Sequence, residues 1–269
     1  MPKDKLKTIY VCNQCGETSP RWLGRCPSCG AWNTMTEDVV AEPAKSSSGR
    51  AAAPVRVTGQ TSLKPLKLKN VSTTEEKSRI VTGIAELDRV LGGGIVLGSV
   101  ILIGGEPGIG KSTLSLQLAL KAAGLKTLYV SGEESPHQIK MRAERIGIVN
   151  EACYIYSETN LENIITQITQ HGPDLVVIDS IQTIYTETID SSPGSVSQIR
   201  ESAALLQKYA KQTGTSIIVI GHITKDGIIA GPKILEHIVD VVLQFEGDNN
   251  NIYRILRSIK NRFGATFEI

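Results

Sequence analysis

A chain of 269 residues that is 41% hydrophobic and 21% charged can form one large packed domain, or one domain with a small module. Its apolar runs fall short of the roughly 18–20 residues of a membrane helix, and the polar start Met1–Lys5 lacks the apolar stretch of a secretory signal. Neither a membrane span nor a secretory signal is expected, and a cytoplasmic location is the default; the net charge of +2 says little until the basic residues are located.

Residues 1–38 hold both tryptophans and four of the five cysteines. Cys12-x-x-Cys15 and Cys26-x-x-Cys29 each set two thiols on one tight turn, and together they supply the four ligands of a tetrahedral zinc site. Gly16 and Gly30, directly after each pair, give those turns their backbone freedom. A disulfide clip does not suit a cytosolic chain, and paired knuckles in so short a module argue against a redox dithiol. The zinc is expected to be structural, in a small four-cysteine zinc ribbon that is unfolded without it. Trp22 and Trp32 are read as covers of the small core in preference to base-stacking platforms, while Arg21 and Arg25 leave docking of a partner open.

Residues 39–68 run in Ala, Pro, Ser, Gly and Lys, and read as a flexible basic linker. Between Ala41 and Asn70, Lys45, Arg50, Arg56, Lys64, Lys67 and Lys69 face only Glu42. A second basic stretch, Ile252–Ile269, sets Arg254, Arg257, Lys260 and Arg262 against Glu268. Such stretches suit a polyanionic partner and a solvated linker equally well.

From residue 69 onward, apolar strand-like runs alternate with helical segments. Strands are predicted at Val100–Ile103, Thr127–Val130, Tyr154–Tyr156, Leu175–Ile178, Ser216–Ile220 and Val239–Phe245, and helices at about 113–123, 136–146, 161–171 and 195–213. This alternation predicts an α/β fold with a mostly parallel sheet covered by helices on both faces. Tyr253–Ile269 reads as further strands around a turn at Asn261–Gly264. Cys153, just before a strand, is expected to be a buried, inert thiol.

Gly105-Glu106-Pro107-Gly108-Ile109-Gly110-Lys111-Ser112 matches G-x-x-x-x-G-K-[ST], the phosphate-binding P-loop, between a strand and a helix. Glycines allow backbone N–H groups to close around phosphate oxygens, Lys111 reaches the β- and γ-phosphates, and Ser112, followed by Thr113, offers a hydroxyl to Mg2+. The chain is thus expected to bind a nucleoside triphosphate, ATP with Mg2+. Leu175–Asp179 is an apolar strand ending in a carboxylate, the pattern of a second Mg2+-holding element. The strand before Ser131-Gly132-Glu133-Glu134 delivers two carboxylates to the same edge; Glu133, nearer the strand end, is the expected activator of the attacking water, with Glu134 as the substitute.

Several strings converge on one family. Thr82-Gly83-Ile84, Glu86 to Gly94, the P-loop and Ser131–Ser135 resemble the RecA-like ATPase core. Lys260-Asn261-Arg262-Phe263-Gly264 is similar to the KNRFG signature of the RadA (Sms) family of bacterial recombination and repair ATPases, as are the cysteine module, Gly221–Lys225 and Ala230–His237. The resemblance implies a homo-hexameric ring and a DNA-dependent, helicase-like ATPase that promotes branch migration on single-stranded or branched DNA, alongside a recombinase partner. It also implies that Lys260 and Arg262 reach across a subunit interface toward the γ-phosphate, or grip DNA, or do both. Lys225 in the segment His222–Pro232 is the expected phosphate contact for DNA, and Thr188–Ser195 is the second candidate pore loop. His222 suits a γ-phosphate sensor or a structural hydrogen bond equally, and Arg200 faces the pore or solvent. Family members continue into a domain resembling Lon protease, so the resemblance implies a shortened chain. The competing readings are a nucleotide-switched DNA- or protein-binding adaptor with slow, incidental hydrolysis, and a signalling ATPase or autokinase.

Overall fold

The computed structural model describes residues 6–12, 17–41, 79–122, 124–222, 232–247 and 253–266. Cys15, Lys225 and almost all of the expected linker and its basic residues lie outside the described residues.

The N-terminal module is a three-stranded antiparallel sheet of order β2-β1-β3, from β1 (Leu6–Cys12), β2 (Thr18–Ser19) and β3 (Met35–Ala41). Its small core gathers Cys12, Cys26 and Met35, with Tyr10 and Leu23 against it. The tryptophans are not part of that core: Trp22 is 53% and Trp32 70% exposed. Among the module's described residues, Val11, Cys12, Ser19, Cys26 and Met35 are buried, and both indoles are left at the surface. Trp32 instead stacks under the Arg25 guanidinium, 5.7 Å from the ring centre.

The larger unit follows the expected alternation. Its elements are β4 (Arg79–Ile80), α1 (Ala85–Leu91), β5 (Ile95–Val96), β6 (Val100–Gly105), α2 (Lys111–Lys121), β7 (Thr127–Ser131), α3 (Pro136–Ile146), β8 (Cys153–Ser157), α4 (Leu161–His171), β9 (Leu175–Asp179), α5 (Val196–Thr213), β10 (Ser216–His222), α6 (Pro232–Ile238), β11 (Val241–Gly247) and β12 (Arg254–Asn261). Seven strands form one sheet of order β12-β11-β6-β10-β9-β7-β8, parallel except for the edge strand β12. Strand alternation divides the core in two. Val100, Leu102, Val176, Ile178, Ile217 and Val219 pack with α4 and α5 on one face. Ile101, Ile103, Tyr129, Val177, Ile218 and Ile220 pack with α1, α2 and α3 on the other.

Helices α3 and α4 have the predicted bounds because their ends are written in side chains. Ser135 and Gln138 form a reciprocal cap and Asn160 caps α4, while Gly147 and Gly172 end the two helices in left-handed geometry. Expected boundaries are corrected at α2, which runs Lys111–Lys121 and not about 113–123, and at β11. β11 starts at Val241, because the Val239 N–H donates to Leu235 O at 2.9 Å and so closes α6 instead of entering the sheet. Among the described residues after Tyr253 there is one strand, β12; the Asn261 side chain then accepts from the Phe263 N–H at 2.9 Å and turns the chain, and the end of the segment expected beyond that turn, 267–269, lies outside the described residues. Cys153 is half-buried at the start of β8, and burial raises its thiol pKa, as suits an inert side chain.

Candidate functional site

The carboxyl ends of β6, β7, β9 and β10 meet where open α/β sheets place their ligands. After β6 the chain makes its phosphate loop, with Gly108 at φ 78° and Gly110 at φ 113°, a region closed to most side chains. A β-carbon at Gly105 would lie 2.7 Å from Phe245 O, so the neighbouring strand also demands glycine there. Glu106, Pro107 and Gly108 are exposed at the tip, Ile109 and Gly110 are half-buried, and Ser112 and Thr113 open the helix.

Helix α2 differs from α3, α4 and α5 at its start. Those three are capped by Ser135, Asn160 and Ser195, whereas α2 begins at Gly110 with no side-chain cap and no acidic residue in its first turn. Its first N–H groups are thereby left for an anion. Lys111 is buried, and its Nζ donates to the Gly105 and Glu106 carbonyls, each at 2.8 Å. Burial lowers the Lys111 pKa, against the pull of Asp179 and then Glu133. An amine held on two neutral carbonyls is a site prepared for phosphate.

Asp179 ends β9, buried, beside Ser131 of β7. The Tyr129 hydroxyl donates to Asp179 Oδ2 at 2.5 Å, and burial, then Asp179, raises the tyrosine pKa. Tyr129 therefore stays a neutral donor that leaves Asp179 an acceptor for a cation or its waters. Lys111, Ser112 and Asp179 thus fit a Mg2+-triphosphate.

The two glutamates after β7 separate. Glu134 is paired with Arg142 on α3. Glu133 is half-exposed; its Oε1 accepts from Ser180 Oγ at 2.8 Å and lies 3.6 Å from His222 Nε2. Gly132 permits this turn, since a β-carbon there would meet Thr183 Oγ1 at 2.1 Å. Sequence reasoning found Asp179, Glu133 and Lys111, but missed Tyr129, Ser180 and Arg142, which carry no motif and reach the site only through strand register.

Lys260 and Arg262 are not brought to this phosphate loop. β12 runs antiparallel to β11, so Arg254 pairs with Gly247 at the ATP edge and Asn261 with Val241 at the far edge. There Lys260 Nζ donates to the carbonyls of Glu236 and, at 2.8 Å, Val239, and Arg262 Nη1 donates to Asp240 Oδ1 at 2.9 Å. Burial, then the charge of Arg262, lowers the Lys260 pKa. Asp240, buried and also accepting the Val100 N–H at 3.1 Å, is a fourth residue that the sequence did not disclose.

In the ribbon, the sulfur atoms of Cys12, Cys26 and Cys29 lie within 4.8 Å of one another, with Cys12 and Cys29 at 3.7 Å. Tetrahedral zinc with Zn–S bonds of about 2.3 Å sets its sulfurs about 3.8 Å apart, so these thiols fit Zn2+.

The comparisons agree with both units. The AAA domain family matches residues 63–227, and a rubredoxin metal binding domain matches residues 10–37. DNA repair protein RadA of Bacillus subtilis is 50% identical over 267 residues, and RadA proteins of Pseudomonas aeruginosa and Aquifex aeolicus are each 52% identical over 266. Each alignment covers 98% of this chain and 57% of the relative, so the chain spans a little over half their length. A KaiC-like protein from Pyrococcus horikoshii shares the fold, with a TM-score of 0.59 and 22% identity over 71% of this chain and 92% of its own. ATP, Mg2+ and a structural Zn2+ are the cofactors of such a chain. It belongs to the AAA domain family and, over the length that they share, to the RadA family.

Proposed function

We propose that this chain is the ATPase portion of a DNA-dependent motor in DNA repair. It works in a hexameric ring, and its turnover drives branch migration of recombination intermediates beside a recombinase. The convergence of Lys111, Asp179 and Glu133 at one sheet edge carries the reading, because it supplies the parts of a hydrolytic phosphoryl-transfer site. The loop amides and Lys111 hold the triphosphate. Ser112 and Asp179 would hold Mg2+, which would neutralise phosphate charge. Glu133, held by Ser180, accepts the proton of the attacking water.

Lys260 and Arg262 face the edge opposite their own phosphate loop. Their placement supports delivery to a neighbour's nucleotide, which couples hydrolysis to assembly. DNA contacts are assigned to Lys225, Lys260 and Arg262.

The test is ATP turnover with and without single-stranded DNA for wild type and Lys111→Ala. DNA should stimulate turnover severalfold, and the variant should lose nearly all of it. The exposed Trp22 and Trp32 favour one competitor, an adaptor that docks partners and hydrolyses slowly. Turnover indifferent to DNA would select that reading.

A further inference from the structure

Arg254 opens the edge strand β12, paired with Gly247 at the carboxyl end of β11. From there its guanidinium reaches the phosphate loop. A β-carbon at Gly110 would lie 3.2 Å from Arg254 Nη1 and 3.7 Å from Phe245 Cε1, so the arginine head rests against the residue that starts α2. Four other arginines near the sheet are engaged: Arg79 on the Leu91, Gly94 and Phe263 carbonyls, Arg142 on Glu134, Arg257 near Glu246 and Arg262 on Asp240. Arg254 is exposed and makes no hydrogen bond or ion pair among the described residues.

Its surroundings make that isolation informative. The start of α2 carries the positive end of the helix dipole, unrelieved by an acidic residue or a side-chain cap. The Lys111 amine adds a further cation on the same loop, spent on neutral carbonyls. A guanidinium beside these groups is repelled by them until an anion arrives, and an anion on the loop then gains a planar donor fork in addition to Lys111.

We propose that Arg254 is a nucleotide-binding residue of its own subunit, an arm from the edge strand that contacts the phosphates of the bound triphosphate. The proposal rests on the reading of the loop as an ATP site. It sets Arg254 apart from Lys260 and Arg262, which leave the same strand at its other end, about 24 Å away for seven residues of extended chain.

Equilibrium titration of the 269-residue chain with a fluorescent ATP analogue and Mg2+ tests this without hydrolysis. Arg254→Ala and Arg254→Gln should each raise Kd about tenfold at low KCl, with Arg254→Lys between them and wild type. The difference from wild type should shrink at high KCl, as a screened charge contact requires. With the analogue well below either Kd, tripolyphosphate should displace it from wild type at about tenfold lower concentration than from Arg254→Ala. A Kd for Arg254→Ala within about twofold of wild type, or equal displacement of both by tripolyphosphate, overturns the proposal. Failure of wild type to bind, or undiminished binding by Lys111→Ala, overturns the ATP-site reading and this one with it.

Discussion

Lys111 shows how a motif residue acquires its chemistry from burial. Its ammonium is destabilised by desolvation, so its pKa lies below the ordinary 10.5, while bound phosphates favour the charged form. In the alkaline range just below 10.5 the free protein has therefore already lost part of this proton, and nucleotide binding should take it back. Calorimetric titrations in buffers of different ionisation enthalpy should show proton uptake there, and Lys111→Ala should remove it. The two glutamates make the second case. Glu133→Gln should lower turnover by about 10²- to 10⁴-fold and leave ATP affinity nearly unchanged. Glu134→Gln should instead act through its Arg142 pair, lowering the melting temperature more than the turnover. Sequence placed both carboxylates at the right strand end. It could not separate them, because Arg142 lies eight residues on and meets Glu134 only once α3 packs.

At the scale of elements, the ribbon is the clearest departure from expectation. The cysteine spacing made zinc legible, yet the tryptophans were read as core and lie outside it. Hydrophobicity alone does not say which apolar residues a very small module can enclose, whereas ligand geometry does. Both tryptophans of the chain are in this module, so they report on it alone. Removal of zinc by a chelator under reducing conditions should shift their emission to that of fully solvated indole and unfold the ribbon, while the ATP analogue stays bound. Cys26→Ser should behave like the chelated protein. The helices were more legible than the strand ends: serine, asparagine and glycine caps are local, whereas the start of β11 depends on how α6 closes.

For the whole molecule, the decisive fact is the direction of β12. Antiparallel pairing sends Arg254 to the chain's own phosphate loop and Lys260 and Arg262 to the opposite edge. On the ring reading, subunits carrying Lys111→Ala mixed equally with subunits carrying Lys260→Ala should recover about a quarter of wild-type turnover, since about a quarter of interfaces then pair an intact loop with an intact lysine. No recovery in mixed assemblies would assign Lys260 to its own subunit. The sequence by itself determined the phosphate loop, its Asp179 and Glu133 partners, the zinc knuckles and the parallel α/β order, because each is carried by local spacing and strand–helix periodicity. Only the tertiary structure decided what Tyr129, Ser180, Asp240 and Arg254 touch and which way Lys260 and Arg262 face, because those contacts depend on sheet order and strand register between residues far apart in the chain, as for Gly110 and Arg254.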